Sequence, residues 1–193
     1  MRKFLIHQKR RILDDFFKID EALVSFERFD GSMTPPLRRL NLDRGDSVAA
    51  LVFHREKQKL VLVNQFRYPT AEGGPGWITE IAAGMIGPGH TPEEAIRHEL
   101  CEELGYAVRE LRRVCSFYVS PGGTSERIIL FYAEVGESER TGQGGGIATE
   151  GENIATVELT LGEARAGLES GEIVDAKTII AIQWLLSRTN TST

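Results

Sequence analysis

Three glutamates lie within five residues of one predicted helix: Glu99, Glu102 and Glu103. At about 100° per residue, positions i, i+3 and i+4 share one face of a helix. Like charges at this spacing cost a helix about 0.2–0.5 kcal/mol per pair, and the C-terminal end of the helix dipole disfavours anions further. We therefore expect the helix to hold a hard divalent cation, with a solvated acidic face as the alternative.

The helix that carries these glutamates has clear start and stop signals. Thr91 is predicted as the N-cap, Pro92 as the first helical residue and Glu94 as the second half of a capping box. Gly105 supplies the C-terminal stop. Apolar residues recur every four positions beside the carboxylates and are predicted to be buried: Ile96, Leu100 and Leu104.

Composition excludes several classes of protein. The 193 residues include 28 acidic and 23 basic side chains, so the net charge of −5 offers no footprint for nucleic acid or an anionic membrane. No apolar run approaches the roughly 18 residues of a membrane span, and the apolar stretch at the basic N-terminus is too short for a signal peptide. Cys101 and Cys115 lack zinc-site spacing. We expect reduced thiols and a cytoplasmic protein.

The chain divides into two predicted regions, residues 1–45 and 46–193. The first contains two or three antiparallel strands, including 12–17 and 22–29, and is too small for a good core of its own. It should pack on the main domain or on a second copy of the chain. The second is predicted to be a mixed sheet covered by helices on both faces, with strands at 48–53, 60–66, 77–83, 114–119, 128–135 and 154–159 and later helices at 161–169 and 176–186.

Residues 84–106 resemble the Nudix box, G-x5-E-x7-R-E-U-x-E-E-x-G-U, where U is a bulky aliphatic residue. His90 and His98 stand where the box has Glu and Arg. In the family those two residues support each other and the helix, so their joint replacement suggests one structural pairing exchanged for another. The matching positions are Gly84, Glu99, Leu100, Glu102, Glu103 and Gly105, with Tyr106 in the last apolar place.

The resemblance extends beyond the box to residues 65–68, 80–84, 120–127 and 177–186. These segments are similar to the ADP-ribose pyrophosphatase branch of the family, of which GDP-mannose pyrophosphatases are close relatives. The resemblance implies an α/β (α+β) fold, the Nudix α/β/α sandwich on a mixed β-sheet. It also implies a small N-terminal antiparallel β-region that is exchanged across a homodimer.

The reaction implied by this resemblance is hydrolysis of the pyrophosphate bond in a nucleoside diphosphate sugar. The first expectation is conversion of ADP-ribose into AMP and ribose 5-phosphate, with Mg²⁺ as cofactor and Mn²⁺ as a possible substitute. The first alternative is a GDP-mannose or other nucleotide-sugar pyrophosphatase. A second alternative is a non-catalytic nucleotide sensor, which only His90 and His98 favour.

The same resemblance assigns roles to the acidic residues. Glu150, on a glycine-rich loop, is the expected general base, and Glu102 is placed with it among the catalytic carboxylates. The loop glycines between 142 and 146 are interpreted as permitting closure over the substrate. The alternative is that the loop acids are merely polar surface residues. The implied metal ligands are the backbone carbonyl of Ala83 and the side chains of Glu99, Glu102, Glu103 and Glu152.

Substrate contacts are implied at six further positions. Arg67 would hold a phosphate or orient an acid, and Glu80 would bind the distal ribose or the adenine. Arg39 would approach the adenine from the partner subunit, although Leu40 stands where this branch often has Glu. Surface salt bridges and a tight turn are the alternatives. The full predicted set is Arg39, Arg67, Glu80, Gly122, Gly123 and Glu126.

Overall fold

The computed structural model describes residues 2–147, 149 and 151–189. The chain forms two compact units, Met1–Asp46 with Tyr118–Arg127, and Ser47–Phe117 with Ile128–Thr193. The predicted division between residues 45 and 46 stays a prediction. No helix among the described residues is both long enough and apolar enough to cross a membrane.

The first unit contains an antiparallel sheet in the order β1-β2-β3, formed by Phe4–Asp14, Lys18–Phe26 and Leu37–Asp43. Every residue of β1 is exposed. Within the described part of this unit, the buried side chains are polar: Asp20, Ser25 and Thr34. The strand predicted at 12–17 instead begins at Phe4 and ends at Asp14, before a turn.

The second unit is built on a mixed sheet. Its strands follow the order β10-β5-β4-β9-β8, with β6 beside β5 and β7 beside β4. Strand β4 is parallel to β9 and antiparallel to β5 and β7. Short 3₁₀ turns cover Tyr68–Thr70 and Glu137–Glu139. The strands are β4 Ser47–His54, β5 Lys59–Phe66, β6 Trp77–Glu80, β7 Ala82–Met85, β8 Arg112–Tyr118, β9 Arg127–Val135 and β10 Ala155–Leu159.

Helices cover both faces of this sheet. Successive residues of a strand point to opposite faces, and β4 divides in this way between two apolar clusters. Val48 and Ala50 pack in the cluster that includes residues of α1, Pro92–Leu104. Ala49 and Leu51 belong to the cluster that includes residues of α2, Leu161–Ser170, and α3, Ala176–Thr189. This confirms the predicted α/β/α sandwich.

The single strand predicted at 77–83 is two strands in the structure. At the break, Ile81 donates its backbone N–H to Thr178 Oγ1 of α3 at 2.9 Å instead of to a neighbouring strand. The chain pairs with β5 before this residue and with β4 after it. This shift places Ala82–Met85 next to the central strand, directly before the loop that leads into α1.

The predicted signals of α1 are confirmed. Thr91 Oγ1 accepts the N–H of Glu94, and the Glu94 carboxylate accepts the N–H of Thr91 at 2.8 Å, which completes the capping box. Gly105 ends the helix in a left-handed conformation. The predicted apolar stripe is buried: Ile96, Leu100 and Leu104.

Candidate active site

The carboxylate of Glu99 lies against the main chain at Gly84. A Cβ atom added to Gly84 would lie 1.7 Å from Glu99 Oε1, so any other residue there would collide with the carboxylate. Gly84 belongs to β7 and Glu99 to α1. The predicted loop-helix motif therefore brings its first glycine and its first matching glutamate into direct contact.

Glu103 is the buried carboxylate of the site, with a residue exposure of 2%. Its Oε2 accepts the backbone N–H of Ala83 at 3.2 Å. Burial raises the pKa of Glu103 to about 8, with Glu99 as the next cause. The Ala83 hydrogen bond opposes this rise, while Glu152 and Glu80 add to it. Glu103 thus lies within electrostatic reach of three other carboxylates.

This arrangement fits a hard divalent cation in its chemistry. A cation beside Glu103 would offset both causes of the raised pKa, and carboxylate and carbonyl oxygens are the donors that Mg²⁺ prefers. Within the described ranges, no group of three or more His, Cys, Asp or Glu side chains is arranged so that it could hold a metal ion. The acids are therefore electrostatically coupled without a complete ligand set among those residues.

The glycine-rich segment packs on the end of α1. Gly145 and Gly146 donate their N–H groups to the carbonyls of Glu103 and Glu102, at 2.9 and 3.1 Å. Gly144 has a φ of +73°, and a Cβ there would lie 2.4 Å from the Glu103 carbonyl oxygen. The glycines interpreted as aids to loop motion thus permit a close approach to the helix end. Glu102 itself is exposed.

Two acids, Glu150 and Glu152, were predicted beyond this segment, and the structure describes one of them. Glu152 Oε2 accepts the N–H of Ile147 at 2.8 Å, and its charge contributes to the raised pKa of Glu103. Glu152 therefore lies in the same acidic region as Glu99 and Glu103. Glu150, the predicted general base, lies outside the described residues.

Glu80 has protein partners on both oxygens. Its Oε1 accepts the Arg67 Nε–H at 2.7 Å, and its Oε2 pairs with the Lys177 ammonium. Sequence reasoning assigned Glu80 to a ribose or adenine and did not identify Lys177 or its neighbour Asp175. The signal available was a lysine at the start of a strongly apolar helix. The substrate roles of Arg67 and Glu80 stay predictions.

The remaining predicted substrate residues belong to the first unit. Arg39 is exposed and donates from Nη1 to the carbonyl of Arg38 at 2.9 Å. Gly122 and Gly123 are exposed, and the Gly123 carbonyl accepts the N–H of Leu42. The N–H of Glu126 donates to Thr124 Oγ1 at 3.1 Å. The substrate roles of Arg39, Gly122, Gly123 and Glu126 stay predictions.

The two histidines that depart from the box contact each other. The ring centroids of His90 and His98 lie 5.7 Å apart, with an angle of 42° between the planes. The expected pairing of these replacements is therefore confirmed. The contact lies where the loop before α1 meets the second turn of that helix.

Comparison with known proteins agrees with this fold and motif. The model of the Nudix domain matches residues 43–180. The chain is 37% identical to a GDP-mannose pyrophosphatase of Pectobacterium atrosepticum over 185 residues, covering 95% of this chain and 94% of that protein. It is 36% identical over 188 residues to a GDP-mannose pyrophosphatase of Citrobacter koseri, covering 96% of each. A crystal structure of an ADP compounds hydrolase superposes with a TM-score of 0.74 at 17% identity, covering 98% of this chain and 95% of that one.

The chain belongs to the Nudix family, in the branch that contains the nucleotide-sugar pyrophosphatases. It is a pyrophosphohydrolase, and enzymes of this family generally use a divalent metal ion. The likeness to the ADP compounds hydrolase supports the fold alone, because the two sequences share few identical residues.

Proposed function

We propose that this protein is an Mg²⁺-dependent hydrolase of the pyrophosphate bond in a nucleoside diphosphate sugar, with GDP-mannose as its substrate. The observation that carries the proposal is the packing of Glu99 against Gly84 beside the buried Glu103. This combination places two carboxylate groups next to the main chain at Ala83 and Gly84. Such a region suits a cation and the phosphate oxygens that the cation attracts.

The choice of GDP-mannose rests on the sequence relatives. Relatives with that name share 36–37% identity across nearly the whole chain. ADP-ribose, the first expectation from the sequence, becomes the second candidate. The observation in its favour is Arg39 on β3, in the arginine pair that the resemblance places near an adenine. Leu40 replaces the Glu that often follows this pair, which weakens the case for adenine.

The residues that would hold the metal come from three segments: β7, α1 and the segment before β10. Glu99, Glu103 and the carbonyl of Ala83 would supply the main ligands, with Glu102 and Glu152 beside them. Mg²⁺ bound there would neutralise pyrophosphate oxygens and acidify a bound water; Mn²⁺ has the same oxygen preference. The Ala83 N–H stabilises the ionised form of Glu103, which is the form that a metal requires.

Other residues would bind substrate and move the proton. Glu150 is the proposed general base and Glu102 a second catalytic carboxylate, both on the resemblance alone. Arg67 would direct its terminal guanidinium nitrogens at phosphate or sugar oxygens, because Nε is already bonded to Glu80. Gly122, Gly123 and Glu126 would face the substrate.

The test of this function is a substrate panel with analysis of products. Wild-type protein and Mg²⁺ should convert GDP-mannose into GMP and mannose 1-phosphate faster than they convert ADP-ribose into AMP and ribose 5-phosphate. Faster hydrolysis of ADP-ribose than of GDP-mannose would instead favour ADP-ribose as the substrate. Absence of turnover on all nucleotide sugars would refute the proposed function.

We also propose that the protein is a homodimer formed through its first unit. Large apolar side chains are exposed there, and a concavity of about 680 Å³ is lined by Phe4, Phe26 and Phe29. Exposed apolar surface of this extent is typical of an interface. Light scattering should find a dimer in the wild type and a monomer in a Phe4→Ser/Phe29→Ser variant. A dimer in both would contradict this interface.

A further inference from the structure

We propose that Lys177 is a positioning residue: through Glu80 it orients the Arg67 guanidinium toward the substrate. This inference rests on the proposed function, because it names what holds a substrate-binding side chain in place. All three residues lie in the second unit: Arg67 directly follows β5, Glu80 ends β6 and Lys177 is in the first turn of α3. Lys177 pairs with one oxygen of Glu80 and Arg67 with the other.

The three side chains run from the interior of the protein to its surface. The side chains of Glu80 and Lys177 are 3% and 10% exposed, whereas that of Arg67 is 43% exposed. The lysine therefore belongs to the interior, and the guanidinium lies at the surface end of the chain of ion pairs. Arg67 bonds to Glu80 through Nε. No contact of its terminal nitrogens with another described residue is seen, so both can meet a phosphate or sugar oxygen.

Helix α3 anchors Lys177 through its neighbours. Asp175 Oδ1 lies 3.0 Å from Lys177 Nζ, and Asp175 Oδ2 accepts both the N–H and the hydroxyl of Thr178. Thr178 Oγ1 in turn accepts the N–H of Ile81. The helix start is thus fixed to the residue between β6 and β7, one position after Glu80. A shift of the lysine ammonium would lose its contact with Asp175.

The network also touches the acidic region. Glu80 is among the charges that act on Glu103. Removal of Lys177 would leave Glu80 without its buried cationic partner, and the carboxylate would turn away from its present position. This movement displaces the acceptor that holds Arg67 Nε, and a displacement of about 1 Å can cost roughly 100-fold in rate. The effect should therefore pass through Arg67.

The experiment is a double-mutant cycle between Lys177→Met and Arg67→Ala, with kcat and KM measured on GDP-mannose and ADP-ribose with Mg²⁺. Lys177→Met should lower kcat/KM by about 10-fold or more. In the Arg67→Ala background, the same change should cost about 2-fold or less. Lys177→Arg should restore most of the activity. Lys57→Met removes a more exposed lysine paired with Glu158 and is the matched control, expected to remain near wild type.

The inference would be overturned if Lys177→Met lowered kcat/KM by the same factor with and without Arg67. Wild-type kinetics in Lys177→Met would also overturn it. Should Lys177→Met fail to fold, Glu80→Met/Lys177→Met removes both buried charges together and should fold. That double variant should lose activity as Arg67→Ala does, and wild-type kinetics in it would also overturn the inference.

A binding readout separates this inference from the proposed function. Calorimetric titration with inorganic pyrophosphate and Mg²⁺ requires no turnover. Arg67→Ala and Lys177→Met should weaken pyrophosphate binding by similar factors, and their combination should weaken it no further. If the wild type hydrolyses no nucleotide sugar but shows this pattern, the proposed function fails and the positioning role stands. Full pyrophosphate affinity in Lys177→Met contradicts the positioning role itself.

Discussion

Glu80 and Glu103 are both buried carboxylates of the second unit, with residue exposures of 3% and 2%, but their surroundings are opposite. Glu80 lies between two cationic side chains, Arg67 and Lys177. Glu103 lies among Glu99, Glu152 and Glu80, with one N–H donor from Ala83. Glu80 thus has two cationic partners, whereas Glu103 has carboxylates around it and no cationic partner among the described residues. This difference is the basis for the cation site proposed beside Glu103.

The largest expected effect is on turnover. Glu103→Gln keeps the size of the side chain and its acceptor oxygen but removes the charge proposed to bind metal. We expect kcat to fall by about 100-fold or more with Mg²⁺ in excess. Glu93→Gln removes an exposed charge from the first turn of the same helix and should change kcat by about 2-fold or less. Undiminished turnover in Glu103→Gln would show that Glu103 contributes no more to turnover than the exposed Glu93.

The second prediction concerns the sign of a stability change. Glu80→Gln leaves Lys177 buried with a weakened partner and should destabilise the metal-free protein by about 3 kcal/mol. Glu103→Gln removes a buried charge that has no cationic partner and should raise the melting temperature at pH 8. Thermal unfolding in the presence of a chelator measures both. Changes of the same sign would remove the contrast between the two sites.

The pH dependence of metal-free stability follows from Glu103. Because its folded pKa is raised to about 8, its favourable contribution is complete below the unfolded value of 4.5 and is lost as pH rises through about 8. Between pH 5 and pH 9, wild type should lose on the order of 4 kcal/mol relative to Glu103→Gln. Excess Mg²⁺ should cancel this loss in wild type only. A constant difference between the two proteins would disagree with a buried, uncompensated Glu103.

The smallest effect separates close packing from backbone conformation. Gly144 and Gly171 have φ angles of +73° and +78°, but only Gly144 would place a Cβ against another chain segment. Alanine at either position should cost about 1 kcal/mol for the left-handed conformation. Gly144→Ala should cost roughly 1 kcal/mol more, by denaturant unfolding, and should weaken Mg²⁺ binding. Equal losses of stability in Gly144→Ala and Gly171→Ala would show that the close approach of Gly144 to the Glu103 carbonyl does not affect stability.

Features that depend on neighbouring residues could be predicted from the sequence. The bounds of α1 and its capping box follow from Thr91, Glu94 and Gly105, because these signals act within a few residues. The burial of β4 on both faces and the two-sided cover of the sheet follow from its continuous apolar run. Gly84 and Glu99 were recognisable because their spacing forms a motif.

Features that depend on distant residues could not. Glu80 and Lys177 are 97 positions apart, so nothing near Glu80 indicates that its oxygens are occupied. The break at Ile81 depends on a hydroxyl supplied by α3. Strand β1 was misplaced because a strand exposed along its whole length lacks the alternation that marks a buried face.

The docking of Gly145 and Gly146 on the carbonyls of Glu103 and Glu102 has a consequence for the engineering of chimeras. The end of α1 and the glycine-rich segment form one transplantable block, although more than 35 residues separate them in the chain. A crossover between Gly105 and Thr141 would pair one parent's helix end with the other parent's glycines. Crossovers beyond Ile154 would leave the block whole, so hybrids cut there should inherit an intact acidic region from a single parent.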